Sequence, residues 1–95
     1  MDNYEYTELL KTLQLKMKNI AGVVEPKKIE ARLKEIEELE NDQEFWNDAA
    51  NAAAVQKEKT QLERKLRKYQ DAASALSDAK ELYEMATDEN DQYQL

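Results

Sequence analysis

Residues 48–87 read DAANAAAVQKEKTQLERKLRKYQDAASALSDAKELYEMAT, and this stretch decides the fold. Within it, apolar side chains recur at an interval of seven: Val55, Leu62, Tyr69, Leu76 and Tyr83. The second core position of the same heptad holds a mixture of apolar and charged residues: Ala52, Lys59, Leu66, Ala73 and Lys80. Such a heptad, with no Gly or Pro inside it, predicts one long helix of about 40 residues, or roughly 60 Å.

The two lysines in the heptad indicate what kind of partner this helix has. In a symmetric two-stranded coiled coil, Lys59 and Lys80 would each meet a like charge at the seam. An antiparallel partner within the same chain accommodates them more easily. The long helix is therefore expected to pack against earlier parts of the chain.

Two shorter helices are predicted before it, over residues 3–21 and 26–40. Asp2 or Asn3 can cap the first, with Glu5 placed as in a capping box. Gly22, the only glycine, is expected to end this helix with a positive φ. Pro26 suits the first position of the second helix, because its missing N–H has no partner there anyway.

The connector after residue 40 carries the only Phe and the only Trp of the chain, Phe45 and Trp46. Two large aromatic side chains carry much apolar surface that burial removes from water, so we expect both to plug the end of the hairpin formed by the second and third helices. The alternative is an exposed anchor for a partner. Asn47 is the expected N-cap of the long helix.

A second apolar stripe occupies the later half of the long helix: Ala72, Ala75, Ala79, Leu82 and Ala86. One partner helix cannot cover two faces. The second helix should lie beside the start of the long helix and the first helix beside its later half. The expected fold is thus all-α, an antiparallel helical hairpin or three-helix bundle in one domain. The second stripe either completes the bundle or awaits a helix that this chain lacks.

Composition excludes most chemistry. The 95 residues include no Cys and no His, which removes thiol catalysis, zinc sites and every His-based acid–base mechanism. Carboxylates are abundant, but they fall on exposed helix faces rather than in a shielded pocket. One glycine cannot build a phosphate-binding loop. We therefore expect no enzyme activity, no cofactor and no metal in this chain.

The ends and the hydropathy point to a cytoplasmic protein. No apolar run approaches the roughly 20 residues of a membrane span, and the charged start does not resemble a signal peptide. Residues 88–95 are acidic and are expected to form a frayed tail or a linker.

Charge is unevenly distributed, although the net charge is −7. Residues 57–68 carry six basic side chains and two acids, a net charge of +4. Five of the basic side chains are the candidate contacts and define the basic belt: Lys57, Arg64, Lys65, Arg67 and Lys68; the sixth is the heptad lysine Lys59. One interpretation is a solvated face, partly paired with acids of the second helix. The other is a contact to RNA phosphates or to another partner. Tyr69 is the only aromatic side chain beside it, so sequence-specific recognition of single strands has little support.

Residues 25–48 read EPKKIEARLKEIEELENDQEFWND, and they resemble the N-terminal domain of bacterial class I peptide chain release factors of the release factor 2 family. The family pattern is a charged helix, an acidic turn that ends in an aromatic residue followed by Trp-Asn, and a further helix. The matching positions in order are Lys28, Arg32, Leu33, Glu35, Leu39, Phe45, Trp46, Asn47, Lys57, Glu58 and Leu62. The likeness covers about residues 1–92.

The resemblance implies a role in translation termination at UAA and UGA codons. It also implies a location near the stalk base of the ribosome, with ribosomal protein and rRNA as neighbours. The family reads stop codons with a Ser-Pro-Phe type tripeptide and triggers peptidyl-tRNA hydrolysis with Gly-Gly-Gln, and neither string occurs here. We therefore expect a ribosome-docking fragment of a longer chain, in contact with downstream domains and without catalytic residues of its own.

Two other functions stay open. The chain can be a free-standing helical adaptor that self-associates, as a homodimer, through the second stripe. A coiled coil that binds RNA outside termination ranks lower, because the negative net charge opposes binding to a polyanion.

Overall fold

Helices account for nearly all of the computed structural model, which describes the backbone of residues 2–93 and the side chains of residues 2–87. The helices are α1 (Asn3–Val24), α2 (Pro26–Glu40), the short α3 (Gln43–Asn47) and α4 (Ala49–Tyr93). The described residues contain no strand. The all-α class and the long C-terminal helix are confirmed. No helix in this part of the chain combines the length and apolar character that a membrane crossing requires.

The first helix begins as predicted and ends later than predicted. Asp2 caps α1, since its Oδ1 accepts a hydrogen bond of 2.7 Å from the Glu5 N–H. The prediction that Gly22 ends the helix with a positive φ is wrong, because α1 continues to Val24. Glu25 takes the left-handed conformation instead, with φ 54° and ψ 65°. A proline disfavours the α conformation in the residue before it, so the helix breaks directly before Pro26.

The second helix spans the predicted residues, and the turn after it contains a helical turn of its own. Asp42 caps α3 by accepting a hydrogen bond of 3.0 Å from the Glu44 N–H. The prediction that Asn47 caps the long helix is wrong by one residue. Asn47 ends α3, and Asp48 accepts a hydrogen bond of 3.1 Å from the Asn51 N–H. The long helix also continues past its predicted end at Thr87 to Tyr93, so the expected tail is helical up to that residue. The last two residues, 94 and 95, lie outside the described part.

The helices form an elongated antiparallel hairpin. α2 packs against the first half of α4, where Glu40 contacts Lys59, and α1 packs against its later half. The ring centroids of Tyr6 and Tyr83 lie 3.4 Å apart, which fixes the start of α1 beside the later half of α4. The molecule measures 71 × 23 × 15 Å, and its radius of gyration is 20.6 Å. A compact chain of this length would have about 12 Å, so the helices follow one another along α4 rather than bundle tightly.

The core lies at the closed end of the hairpin. The buried apolar side chains are Ile29, Ile36, Phe45 and Ala52, which belong to α2, α3 and the start of α4. α1 contributes no buried residue. The ten heptad positions of α4 are all buried or half-buried, including the two lysines, which confirms the predicted seam. The second stripe remains exposed along its whole length.

Candidate nucleic-acid interface

The basic belt lies on the outer face of α4. Val55, Leu62 and Tyr69 of the seam face inward and are half-buried. Lys57 and Arg64 lie two heptad positions after Val55 and Leu62, on the side of the helix opposite the seam. All five belt side chains are exposed. They occupy about 17 Å of helix, a length over which a nucleic-acid backbone presents several phosphates.

Ion pairs between α2 and α4 leave the belt free. Lys59 Nζ donates to both carboxylate oxygens of Glu40, each at 3.0 Å. Arg32 Nε and Nη2 donate to the two oxygens of Glu58, at 3.0 and 2.8 Å. Among the side chains of residues 2–87, none of the five belt residues takes part in an ion pair. Residues 57–68 contain two acids, Glu58 and Glu63. Because Glu58 is paired with Arg32, Glu63 is the one acid near the belt that is not engaged in these interhelical pairs.

These pairs also set the ionisation of their members. Hydrogen bonds from Lys59 and then from Gln56 hold the pKa of Glu40 below its ordinary range, and the same contact with Glu40 raises the pKa of Lys59. The guanidinium of Arg32 lowers the pKa of Glu58. Hydrogen bonds from Glu58 and then Glu35 raise the pKa of Arg32 further above neutrality. All these groups thus stay charged at neutral pH and hold α2 against α4.

Sequence reasoning missed the identity of these pairs. It expected the basic residues at 57–68 to be partly paired with acids of the second helix, and one such pair is present, between Lys59 and Glu40. The available signal was the placement of Lys59 at a heptad position, where an inward lysine needs an acid on the facing helix. The Arg32–Glu58 contact depends on the register between α2 and α4, which no local pattern specifies.

The two aromatic side chains of the turn take different places. Phe45 is buried at 8% exposure, and α3 packs against both α2 and α4. Trp46 meets Phe45 edge to face, with ring centroids 5.0 Å apart, yet it stays 49% exposed. Its Nε1–H donates to the backbone oxygen of Glu40 at 2.9 Å. Phe45 thus fills the plug position, whereas Trp46 covers the end of α2 and keeps one side in water.

The described residues contain no group of three or more Asp or Glu side chains placed to hold a metal ion. The hollow beside the belt, lined by Thr60, Glu63, Arg64 and Arg67, has a volume of about 230 Å³ and is open to solvent. Its charged side chains suit contact with a surface rather than enclosure of a small substrate.

The chain has clear relatives. The family model of the PCRF domain matches residues 29–95. Over 92 residues, 97% of this chain, it is 67% identical to peptide chain release factor 2 of Sulfurimonas denitrificans. The same protein of Wolinella succinogenes is 58% identical and that of Campylobacter concisus 56% identical, each over 92 residues.

The chain spans about a quarter of the length of these curated relatives, since the matched region is 25% of each. No solved structure matches it significantly. The family model covers α3, α4 and most of α2, which are the elements that build the core and carry the basic belt. These matches show that the chain belongs to the PCRF domain family, and that its relatives there are peptide chain release factor 2 proteins.

Proposed function

We propose that this chain is the ribosome-docking helical domain of a peptide chain release factor that acts in translation termination in the cytoplasm. Its relatives are named for peptide chain release. In such a factor, stop-codon reading at UAA and UGA and the triggering of peptidyl-tRNA hydrolysis belong to further domains, because their motifs do not occur here. The helical rod would contact those domains and orient the factor near the stalk base, between ribosomal protein and rRNA.

The observation that carries this proposal is the exposure of all five belt side chains on the outside of α4. The belt is a locally positive surface on a chain whose net charge is −7. Arg and Lys that are free of ion pairs can neutralise phosphates and release the counterions bound to them. Their contact with rRNA would be sequence-independent, since no base-reading group accompanies them.

Ribosome binding by the full chain tests this proposal. We expect affinity to fall about tenfold or more when four belt residues become Glu: Arg64, Lys65, Arg67 and Lys68. A matched control reverses four exposed lysines on α1 and α2: Lys11, Lys18, Lys27 and Lys34. The control should bind much more tightly than the belt variant, although both have the same net charge. If both variants lost the same amount of ribosome affinity, the loss would reflect overall charge rather than the position of the belt, and the proposal would be contradicted.

A second candidate function is favoured by the exposed second stripe of α4. A free-standing helical adaptor would use that apolar face to associate with another protein chain or with itself. The two functions use different stretches of α4, because the belt lies within residues 57–68 and the second stripe within residues 72–86. They can therefore be tested separately.

A further inference from the structure

The first two helices differ in how firmly they are held on α4. Ile36 of α2 is fully buried, whereas α1 contributes no buried side chain. Two interhelical ion pairs, made by Arg32 and Glu40, join α2 to α4. Among the described side chains, no ion pair joins α1 to α4. Burial and charge thus fix α2 in place, while α1 depends on side chains that are at most half-buried.

The contact between α1 and α4 is loosely packed along its middle. The two helices run antiparallel, since Tyr6 lies beside Tyr83 and Ala21 lines one hollow with Tyr69. Between these ends lies a groove of about 390 Å³ with almost entirely apolar walls. Ile20 lines this groove and is 44% exposed. Apolar side chains beside such a gap lose part of the dispersion contacts that a packed interior provides, so the middle of α1 adds little to its attachment.

The most specific contact of α1 lies at its start, far from its joint with α2. The rings of Tyr6 and Tyr83 stack with their centroids 3.4 Å apart. The Tyr83 hydroxyl also donates a hydrogen bond to Oδ1 of Asn3. We call this contact of Asn3 and Tyr6 with Tyr83 the latch. One aromatic stack and one exposed hydrogen bond are modest contacts, and they are all that the latch contains.

The joint between α1 and α2 is a single residue, Glu25. The helical hydrogen bonds of both helices end on it: its N–H donates to the Ala21 oxygen at 2.8 Å, and its own oxygen accepts from the Lys28 N–H at 3.0 Å. Its left-handed conformation breaks the helix there. A change of dihedral angles at one such residue is sufficient to reorient a whole helix.

The end of α1 beside this joint is also intrinsically weak as a helix. Four of its last five residues are poor helix formers: Ile20, Gly22, Val23 and Val24. Val23 is 85% exposed, so packing does not compensate for its low propensity. The later half of α4 differs, because it continues a helix that is already formed at the closed end and needs no new nucleation.

We propose that α1 is a hinged arm, which leaves α4 as one unit about Glu25 while α2, α3 and the first half of α4 stay folded. Release of the latch permits this motion, because no firmer contact lies between the latch and the joint. Opening uncovers Tyr69, Leu76 and Tyr83, which are half-buried in the seam. It joins them to the exposed second stripe, so the arm controls access to one continuous apolar face. The basic belt precedes this stretch and is not covered by the arm.

Native-state hydrogen exchange of the full chain tests the proposal, because it measures an opening constant for each backbone amide. Amides 10–22 of α1 are expected to share one opening constant, at least tenfold larger than that of the slowest amides of α2. Equal constants in α1 and α2 would show a single cooperative unit. A constant that rises steadily from residue 22 toward residue 10 would show fraying from the start of the chain. Either result would overturn the proposal.

A mild change in the core tests whether the arm opens independently of the closed end. Ile36→Val removes one buried methyl group and should raise the opening constant of the slowest α2 amides about fivefold. The constant of the α1 amides should not change, because Ile36 stays packed when the arm opens. An equal rise in α1 would contradict independent opening.

Changes at the two ends of α1 test whether the arm opens as one unit. Tyr6→Leu removes the stack but keeps a good helix former, and it should raise the opening constant of the distant amides 18–22 about fivefold. Tyr4→Leu, at a side chain that is 74% exposed, is the matched control and should change it little. Gly22→Ala adds a Cβ that meets no atom within 4 Å, and it should lower the constant of amides 8–12 about threefold. Effects confined to the neighbourhood of each substitution would overturn the proposal.

Discussion

Lys59 and Glu40 join the end of α2 to the seam of α4, with Lys59 Nζ 3.0 Å from both carboxylate oxygens. Gln56 Nε2 adds a hydrogen bond of 3.1 Å to the same carboxylate. The lysine occupies a heptad position that would be unfavourable in a symmetric coiled coil. An acid on an antiparallel helix of the same chain makes it a stabilising contact.

The Glu40 contact predicts a pH dependence of stability. Hydrogen bonds from Lys59 and Gln56 lower the folded-state pKa of Glu40 below its ordinary value of 4.5. The unfolded chain therefore binds a proton first, and the stabilisation is present above about pH 4.5 and lost as pH falls through the folded-state pKa. Thermal melts should lose less stability on acidification in Glu40→Gln than in the parent chain. Glu38→Gln, an exposed carboxylate on the same helix, is the control and should behave like the parent.

Ile36 predicts where the free energy of folding is concentrated. Its side chain is fully buried at 0% exposure, whereas Leu15 on α1 is 60% exposed. Ile36→Ala should lower the free energy of unfolding by about 2–5 kcal/mol, because it removes apolar contacts and leaves a cavity. Leu15→Ala should change it by about 0.5 kcal/mol or less. Urea unfolding measures both, and equal effects would contradict a core confined to the closed end of the hairpin.

Glu25 predicts a backbone effect at the joint between α1 and α2. Its φ of 54° lies in the left-handed region, which β-branched residues adopt very poorly and Asn tolerates. Glu25→Val should lower the free energy of unfolding by about 1 kcal/mol or more relative to Glu25→Asn. Both variants lose the contact of 3.0 Å with Lys28, so the comparison isolates the backbone. Equal stability of the two variants would show that the joint does not hold the left-handed conformation in solution.

The buried hydroxyl of Tyr6 leads to a prediction about thermal stability. Its hydroxyl is buried and has no hydrogen-bond partner in the described part of the chain, while its ring stacks on Tyr83. Tyr6→Phe keeps the stack and removes the unpaired hydroxyl, so the thermal midpoint should stay equal or rise. Tyr6→Ala removes the stack and should lower it. A large loss of stability in Tyr6→Phe would mean that the hydroxyl has a partner.

The long helix and its seam could be predicted because the seven-residue interval between apolar side chains is visible in the sequence itself. The end of α1 could not be located from Gly22, because the effect of Pro26 on the residue before it outweighed the preference for glycine. Asn47 and Asp48 are both good caps, so their order could not be decided from residue type alone.

The candidate interface was only partly visible in the sequence. The heptad pattern alone predicts that Lys57 and Arg64 lie opposite the seam. Whether acids of α2 would neutralise the belt depends on the register of the hairpin, which sets the partners of Lys59 and Arg32. That register follows from packing around Ile36 and Phe45, and packing is not a local property of the sequence.

The salt dependence of ribosome binding tests the docking account most directly. Each phosphate contact contributes about 0.7–0.9 to the slope of log affinity against log salt concentration. Reversal of Arg64, Lys65, Arg67 and Lys68 should therefore make that slope shallower by roughly 3. The account predicts this shallower slope for the belt variant and a smaller change for the control with lysines reversed on α1 and α2. An unchanged slope in the belt variant would contradict it.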